Sequence, residues 1–367
     1  MNPHPLFCPN EACPSRGIEA ADNIRVHDGR RDRWRCRTCG KTFSSRQGTP
    51  FHRLRTDPVI VIQVVTLLSY GCPLQAIVQA FGLDERTIKR WYASIGRHCE
   101  QVHEALVTSE TSQSMNLLQV QADEVRVRLQ HRIVLWMAMA ICVPTRLWLG
   151  GVVSATRDRS LILMLAAKVK ACACLAPILL MTDGLSSYVS AWRKVFRTPE
   201  HTGRRGRPRM SAWPGVVIGQ VVKRYEKGHV CGVEQRLIQG AEEQLHALLG
   251  AASKINTAYI ERLNATFRAR LCCLTRRTRS LARKPETLNA GMYLVGCLYN
   301  FCTPHQSLTG RDQSGNQIER TPAIAAGLTG HVWTVGELLW FRVAPAPFVP
   351  RKRRGRKPKS QQLAITV

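Results

Sequence analysis

The apolar and polar positions of this chain change period several times, and each change marks an element. Between residues 54 and 105 the apolar residues fall at helical spacing. Asp57 caps a first helix with Pro58 in its opening turn, a run of Val, Ile and Leu carries it to Tyr70, and Gly71 stops it. Pro73 to Phe81 is a short second helix and Gly82-Leu83-Asp84 a turn. Glu85 to His98 is a third helix with Ile88, Trp91, Tyr92 and Ile95 inward. A short helix, a glycine turn and a basic second helix make helix-turn-helix geometry, with Arg86, Thr87, Lys89 and Arg90 toward DNA; an ordinary helical hairpin gives the same pattern. Residues 106–116 are polar and read as a linker.

Beyond the linker the period falls to two. Strands near 117–129, 132–142 and 145–154 form a meander with turns at His131 and Pro144. A helix at about 158–171, a short buried strand ending at Asp183, a helix to about 197, a basic insertion at about 198–213 and further strands within 214–240 follow. A helix starting at Asn256 or Thr257 carries the stripe Ile260, Leu263, Phe267 and Leu271, and another near 286–301 turns Leu288, Met292, Val295 and Leu298 inward. This order predicts an α/β domain over 117–310, then a C-terminal region, 311–367, with a basic tail.

Three acids stand where chemistry could use them. Asp123 is in phase with Val125, Val127 and Leu129, and an Asp on an apolar face is costly unless a cation or donors satisfy it. Glu124 is in phase with Arg126 and Arg128 and can pair with them on the exposed face; a shift of register by one residue would exchange the two acids. Asp183 ends a continuous apolar run, where acids of α/β sheets face the ligand crevice, and it can also cap the helix opened by Ser186 and Ser187. Glu261 shares a polar helix stripe with Asn264 and Arg268 at the margin of the packing face. A lone Glu there would read as a solvated side chain; the two aspartates upstream change that reading.

Charge and cysteines narrow the field. Lys plus Arg is 53 against 25 Asp plus Glu, a net +28 that suits a polyanion and nucleic acid first. The longest apolar run, Ile133 to Val143, is half a bilayer span and reads as a strand. The start of the chain lacks an apolar signal region, so a cytoplasmic chain with reduced thiols is expected. Cys8 and Cys13, then 22 residues, then Cys36 and Cys39 bring four thiolates within reach of one structural Zn²⁺, with Gly40 at the second knuckle. A zinc ribbon is therefore predicted over 1–50.

The blocks Gln121-Ala122-Asp123-Glu124, Met181-Thr182-Asp183-Gly184 and Tyr259-Ile260-Glu261-Arg262-Leu263-Asn264 resemble the insertion-sequence-1 type of DDE transposase. So does the order ribbon, helix-turn-helix, acidic triad, and so does Tyr299-Asn300-Phe301 with Pro304-His305. The resemblance covers most of residues 1–310. One departure is Leu263, where such transposases often carry a His. The resemblance implies a ribonuclease-H-like fold. It also implies two Mg²⁺ (or Mn²⁺) held by Asp123, Asp183 and Glu261, about 3.5–4 Å apart to serve both ends of an in-line displacement. It implies cleavage that frees a 3′-OH at an element end, attack of that 3′-OH on target DNA, and a dimer or larger assembly on DNA.

Gly203-Arg204-Arg205-Gly206-Arg207-Pro208-Arg209, and in kind residues 351–359, resemble AT-hooks that enter a narrow minor groove; a basic loop touching phosphates is the alternative. Arg276, Arg277, Arg279, Arg283 and Lys284 form a further basic cluster, and Asn264 and Arg268 are expected to face DNA with it. Terminal inverted repeats and target DNA are the expected partners. The rival reading is a decayed or repurposed transposase acting as a non-catalytic DNA-binding regulator.

Overall fold

The computed structural model describes residues 5–18, 22–108, 115–130, 133–200, 203, 206–226, 229–250, 254–275, 284–311 and 314–350. Two compact units are present, one of Met1–Gly48 with Ala344–Val367 and one of Thr49–Val343. In the first, β1 (Ile24–Asp28), β2 (Arg33–Cys36) and β3 (Thr42–Ser44) form an antiparallel sheet. Its small core is Phe43 with Cys8, Cys13 and Cys36.

The second unit opens with α1 (Pro58–Ser69), α2 (Leu74–Phe81) and α3 (Glu85–Leu106). The caps are those the sequence indicates. Asp57 accepts from the Val59 amide at 2.9 Å, and Asp84 from the Arg86 and Thr87 amides at 2.9 and 3.1 Å. Gly82 takes the left-handed φ of +60° that the turn needs. α3 outruns its expected end at His98 because the buried stripe continues through His98, Cys99, Val102 and His103.

The remaining elements are β4 (Gln119–Arg128), β5 (Val134–Cys142), β6 (Trp148–Ser154), α4 (Arg159–Cys172), β7 (Ile178–Asp183), α5 (Ser186–Val195), β8 (Arg197–Glu200), β9 (Arg209–Ala212), β10 (Val216–Glu226), β11 (His229–Gln239), α6 (Glu242–Leu249), α7 (Ala258–Arg270) and α8 (Pro285–Cys297). A six-stranded mixed sheet runs β11-β10-β7-β4-β5-β6. β4, β5 and β6 form an antiparallel meander, β7 and β10 run parallel to β4, and β11 is antiparallel to β10. This is a mixed α/β fold. The run from Ile133 is indeed the buried strand β5, and the expected insertion holds the hairpin β8–β9.

The helical segment and the sheet share one core. α3 lies directly on α8: a Cβ added to Gly96 would stand 2.4 Å from the Ala290 Cβ. Buried Asn300 clamps β6 from the segment after α8, accepting from the Trp148 amide and donating to the Trp148 carbonyl, both at 2.9 Å. No helix among the described residues is long and apolar enough to cross a membrane.

Candidate active site

β4 and β7 are adjacent and parallel, and the chain leaves them in opposite directions, to β5 on one side and to β10 on the other. Such a switch point opens a crevice at the carboxyl ends of the strands. Pairing of β4 with β7 ends at Gln121 and Met181, so the residues two positions further along each strand flank that opening. Asp123 and Asp183 are those residues. Each offers a carboxylate oxygen to a group of acids, Asp123, Glu124 and Asp183, whose oxygens all lie within 4.8 Å of one another.

Asp123 is half-buried and points toward α7, where the Asn264 amide donates to its Oδ2 at 2.8 Å. Burial, then the neighbouring charge of Glu124, and to a lesser degree of Asp183 and Glu261, push its carboxyl up to about 6. Asp183 ends β7, and its Oδ1 accepts from the Leu185 amide at 3.0 Å, ahead of α5. Ligand crevice and turn are thus served by one side chain.

Glu261 is not in the tight group. It stands on the first turn of α7, half exposed, with its Oε1 accepting from Lys223 Nζ at 2.9 Å and from Thr257 Oγ1 at 3.1 Å. It lines the same cleft as Asp123, Asp183, Arg157 and Lys223, a cavity of about 410 Å³. All the carboxylates that line it are hard oxygen donors, the kind Mg²⁺ selects.

The expectation for Glu124 is corrected. Its side chain is 1% exposed rather than solvated, and it does not pair with Arg126 or Arg128. Tyr188 from α5 and Arg157 from the β6–α4 connection cover that end of the strand: Tyr188 Oη donates to Oε2 at 2.8 Å and Arg157 Nε to Oε1 at 2.6 Å. Arg126 and Arg128 are exposed further along, where that cover has ended.

Gln121 escaped the sequence reading. It is fully buried, and its Oε1 accepts from the Tyr259 and Ile260 amides at 2.9 and 3.0 Å while its Nε2 donates to Asn256 at 3.0 Å. A strand residue thus caps α7, the work expected of Asn256 or Thr257; Asn256 contributes only an acceptor for the Ala258 amide, at 3.2 Å. Its place two residues before Asp123 on the same strand face is the signal that could have found it. Asn264, expected to face DNA, is 2% exposed and holds Asp123 instead.

Of the other expected DNA contacts, Arg86, Lys89, Arg90, Arg207 and Arg268 are exposed, and Thr87 is partly so. Lys89 pairs with Glu85 one turn back. Arg204, Arg205, Arg276, Arg277, Arg279 and Arg283 lie outside the described residues, as do His131, most of the expected linker and residues 351–359.

In the first unit, Cys8, Cys13, Cys36 and Cys39 converge with all four sulfurs within 4.8 Å. The Cys8–Cys39 and Cys13–Cys36 sulfurs are 3.6 and 3.8 Å apart. A tetrahedral Zn²⁺ with Zn–S of about 2.3 Å requires edges of about 3.8 Å. The four thiols therefore fit such an ion, and none of the cysteines forms a disulfide. Asn23 Nδ2 donates to Cys36 Sγ at 3.1 Å, and Gly40, at φ +72°, turns the second knuckle. The loop amide of Lys41 and the amide side chain of Asn10 offset burial and draw the Cys39 thiol down to about 6.

No protein-family model matches this chain, and no curated protein does.

Proposed function

We propose that the chain is a Mg²⁺-dependent DNA transposase of the DDE type, cutting a 3′ end and joining it to target DNA. The observation that carries this reading is the meeting of Asp123 and Asp183 at the β4–β7 crevice with Glu261 on the wall of the same cleft. An antiparallel meander followed by parallel β7 and β10 supports a ribonuclease-H-like core. The net charge of +28 supports a DNA partner, and the sulfur geometry supports a zinc-stabilised ribbon in the first unit.

Asp123, Asp183 and Glu261 would hold the ions. Bound Mg²⁺ would supply stabilisation of the charge that builds on the attacking, non-bridging and leaving oxygens of a phosphodiester. The rest is positioning by the chain itself. Asn264 fixes the Asp123 carboxylate against α7. Gln121 fixes the first turn of α7 to β4 and so sets where Glu261 stands. Lys223 donates to Glu261 and holds its carboxylate on the cleft wall. Exposed Arg86, Lys89 and Arg90 on α3 would bind the duplex at an element end.

One observation favours the rival reading of a non-catalytic regulator: Glu261 is tied to Lys223 and stands apart from the tight group of acids. Strand transfer separates the two. With Mg²⁺, a duplex built from the DNA that flanks the gene, searched first for inverted repeats, and a plasmid target, the wild-type chain is expected to join a 3′ end to the plasmid. Asp123→Asn binds the duplex and joins nothing. Joining by Asp123→Asn at the wild-type rate would remove Asp123 from the site, and end binding without any joining by the wild type would select the regulator.

A further inference from the structure

Arg157 is no member of the acidic triad, yet it lies against two acids of the crevice. It lies between β6 and α4, it lines the cleft, and its guanidinium is 3.7 Å from Asp183 as well as in direct contact with Glu124. The ring of Trp136 lies 5.0 Å from its guanidinium carbon. Its anchor is unusual for an acid beside two others. Glu124 is fully enclosed, with Oε1 taken by Arg157 and Oε2 by the Tyr188 hydroxyl. Tyr188 is itself completely buried, so it cannot turn away to solvent.

An enclosed carboxylate with one oxygen on a guanidinium and the other on a buried tyrosine is a poor metal ligand, because binding an ion would break a charge-assisted bond or leave Tyr188 unpaired. Breaking that pair also strands a buried charge. Nε and Nη2 of Arg157 rest on Glu124, which leaves Nη1 for a ligand. A guanidinium held rigidly on one edge, with an aromatic ring nearby and a cleft in front, is suited to a phosphate oxygen.

We propose that Arg157 is a phosphate-binding residue of this cleft, and that Glu124 with Tyr188 is the post that aims it rather than a third metal ligand. The occupant is a DNA backbone phosphate, so the inference rests on the transposase reading for the identity of its ligand. Charge balance supports it: with two aspartates and a glutamate neutralised by divalent ions, Arg157 and Lys223 are cations of the cleft lining that would face an incoming phosphodiester, and of the two Arg157 stands beside Asp183. The guanidinium would be placed before the substrate arrives, which is what makes such a donor effective.

The test uses the full-length chain with Ca²⁺ in place of Mg²⁺, so that binding is read without cutting. Affinity for the end-containing duplex is measured against salt. Arg157→Ala is expected to bind more weakly with a salt slope smaller by about one, the loss of one phosphate contact. Arg157→Lys, which keeps the charge, is expected to keep the slope, and it guards against a misfolded Ala variant. Under Mg²⁺, Arg157→Ala is expected to cut about 10²-fold more slowly. Glu124→Gln and Tyr188→Phe are expected to behave like weakened forms of Arg157→Ala while binding Mn²⁺, followed by its paramagnetic resonance, as the wild type does. Unchanged affinity and slope in Arg157→Ala overturn the inference whether or not the chain cuts DNA. A tenfold loss of Mn²⁺ binding in Glu124→Gln makes that residue a ligand and also overturns it. A reduced slope in Arg157→Ala alongside normal cutting by Asp123→Asn would instead remove the transposase reading and leave the phosphate contact standing.

Discussion

A carboxyl group enclosed beside other carboxyls holds its proton more tightly than the same group in an unfolded chain. Asp123, pushed up to about 6 by burial and by Glu124, is such a group. Its folded value lies above its unfolded one, so the folded metal-free chain binds more protons, and stability falls as pH rises from about 4 through about 6. The two-unit displacement corresponds to at most about 3 kcal/mol. Asp123→Asn is therefore expected to raise the denaturation midpoint of the metal-free second unit at pH 7.5 and to leave it unchanged at pH 4. Mg²⁺ should stabilise the wild type at pH 7.5 and the variant little. A destabilised variant at pH 7.5 would contradict the assignment. At this scale the sequence was informative about Asp123 and Asp183, because an acid in phase with an apolar strand face and an acid ending a buried run both need a reason. It was misleading about Glu124 and Asn264. Their partners, Arg157, Tyr188 and Asp123, come from distant parts of the chain, and local alternation carries no trace of them.

Elements explain how the site keeps its shape. α7 delivers Glu261, and its opening amides are satisfied by a glutamine from another element rather than by its own capping residues. Gln121→Leu would leave the Tyr259 and Ile260 amides without that acceptor, in a place where water has little access. A loss of about 1–3 kcal/mol is expected in chemical denaturation, with Mn²⁺ affinity reduced because α7 shifts. Unaltered stability would show that the helix start is held by something else. Zinc held by the four cysteines would cross-link the first unit. A segment this small buries too little apolar surface to hold alone, and a structural zinc typically supplies about 10–16 kcal/mol of binding free energy. Cys13→Ser is expected to lose one equivalent of zinc by elemental analysis and to unfold the first unit, while Thr49–Val343 retains its helical signal. Zinc content unchanged from the wild type would contradict the tetrahedral reading of these sulfurs. Helix positions and the cysteine pairing were legible because caps, glycines and close Cys spacing are local signals. The length of α3 was not, because its second half is helical for the sake of the core it enters.

At the level of the whole molecule, the helical segment carrying Arg86, Lys89 and Arg90 is continuous with the unit that holds the acids, through the contact of Gly96 with Ala290. Removing residues 1–105 would therefore expose α8 and the sheet, and it cannot separate end recognition from chemistry. Charge removal does so: Arg86→Ala with Lys89→Ala and Arg90→Ala should weaken sequence-selective footprinting without changing the denaturation midpoint, since all three are exposed. Footprints as selective as the wild type's would take α3 out of end recognition. By contrast, Gly96→Val should cost stability by overpacking, about 1–3 kcal/mol or more, because the facing atoms are backbone as well as side chain. The succession of strands and helices along the chain followed from the pattern of apolar runs, whereas their order in the sheet and the shared core of helices and sheet depended on long-range packing that no window of sequence reveals.

The most direct measurement is nicking of an end-containing duplex in Mg²⁺ by four single variants, Asp123→Asn, Asp183→Asn, Glu261→Gln and Glu124→Gln, each first shown to bind the duplex. The metal-site assignment predicts no free 3′ end from the first three and a slowed but detectable one from Glu124→Gln. Wild-type nicking by Asp183→Asn or Glu261→Gln, or complete loss confined to Glu124→Gln, would contradict it.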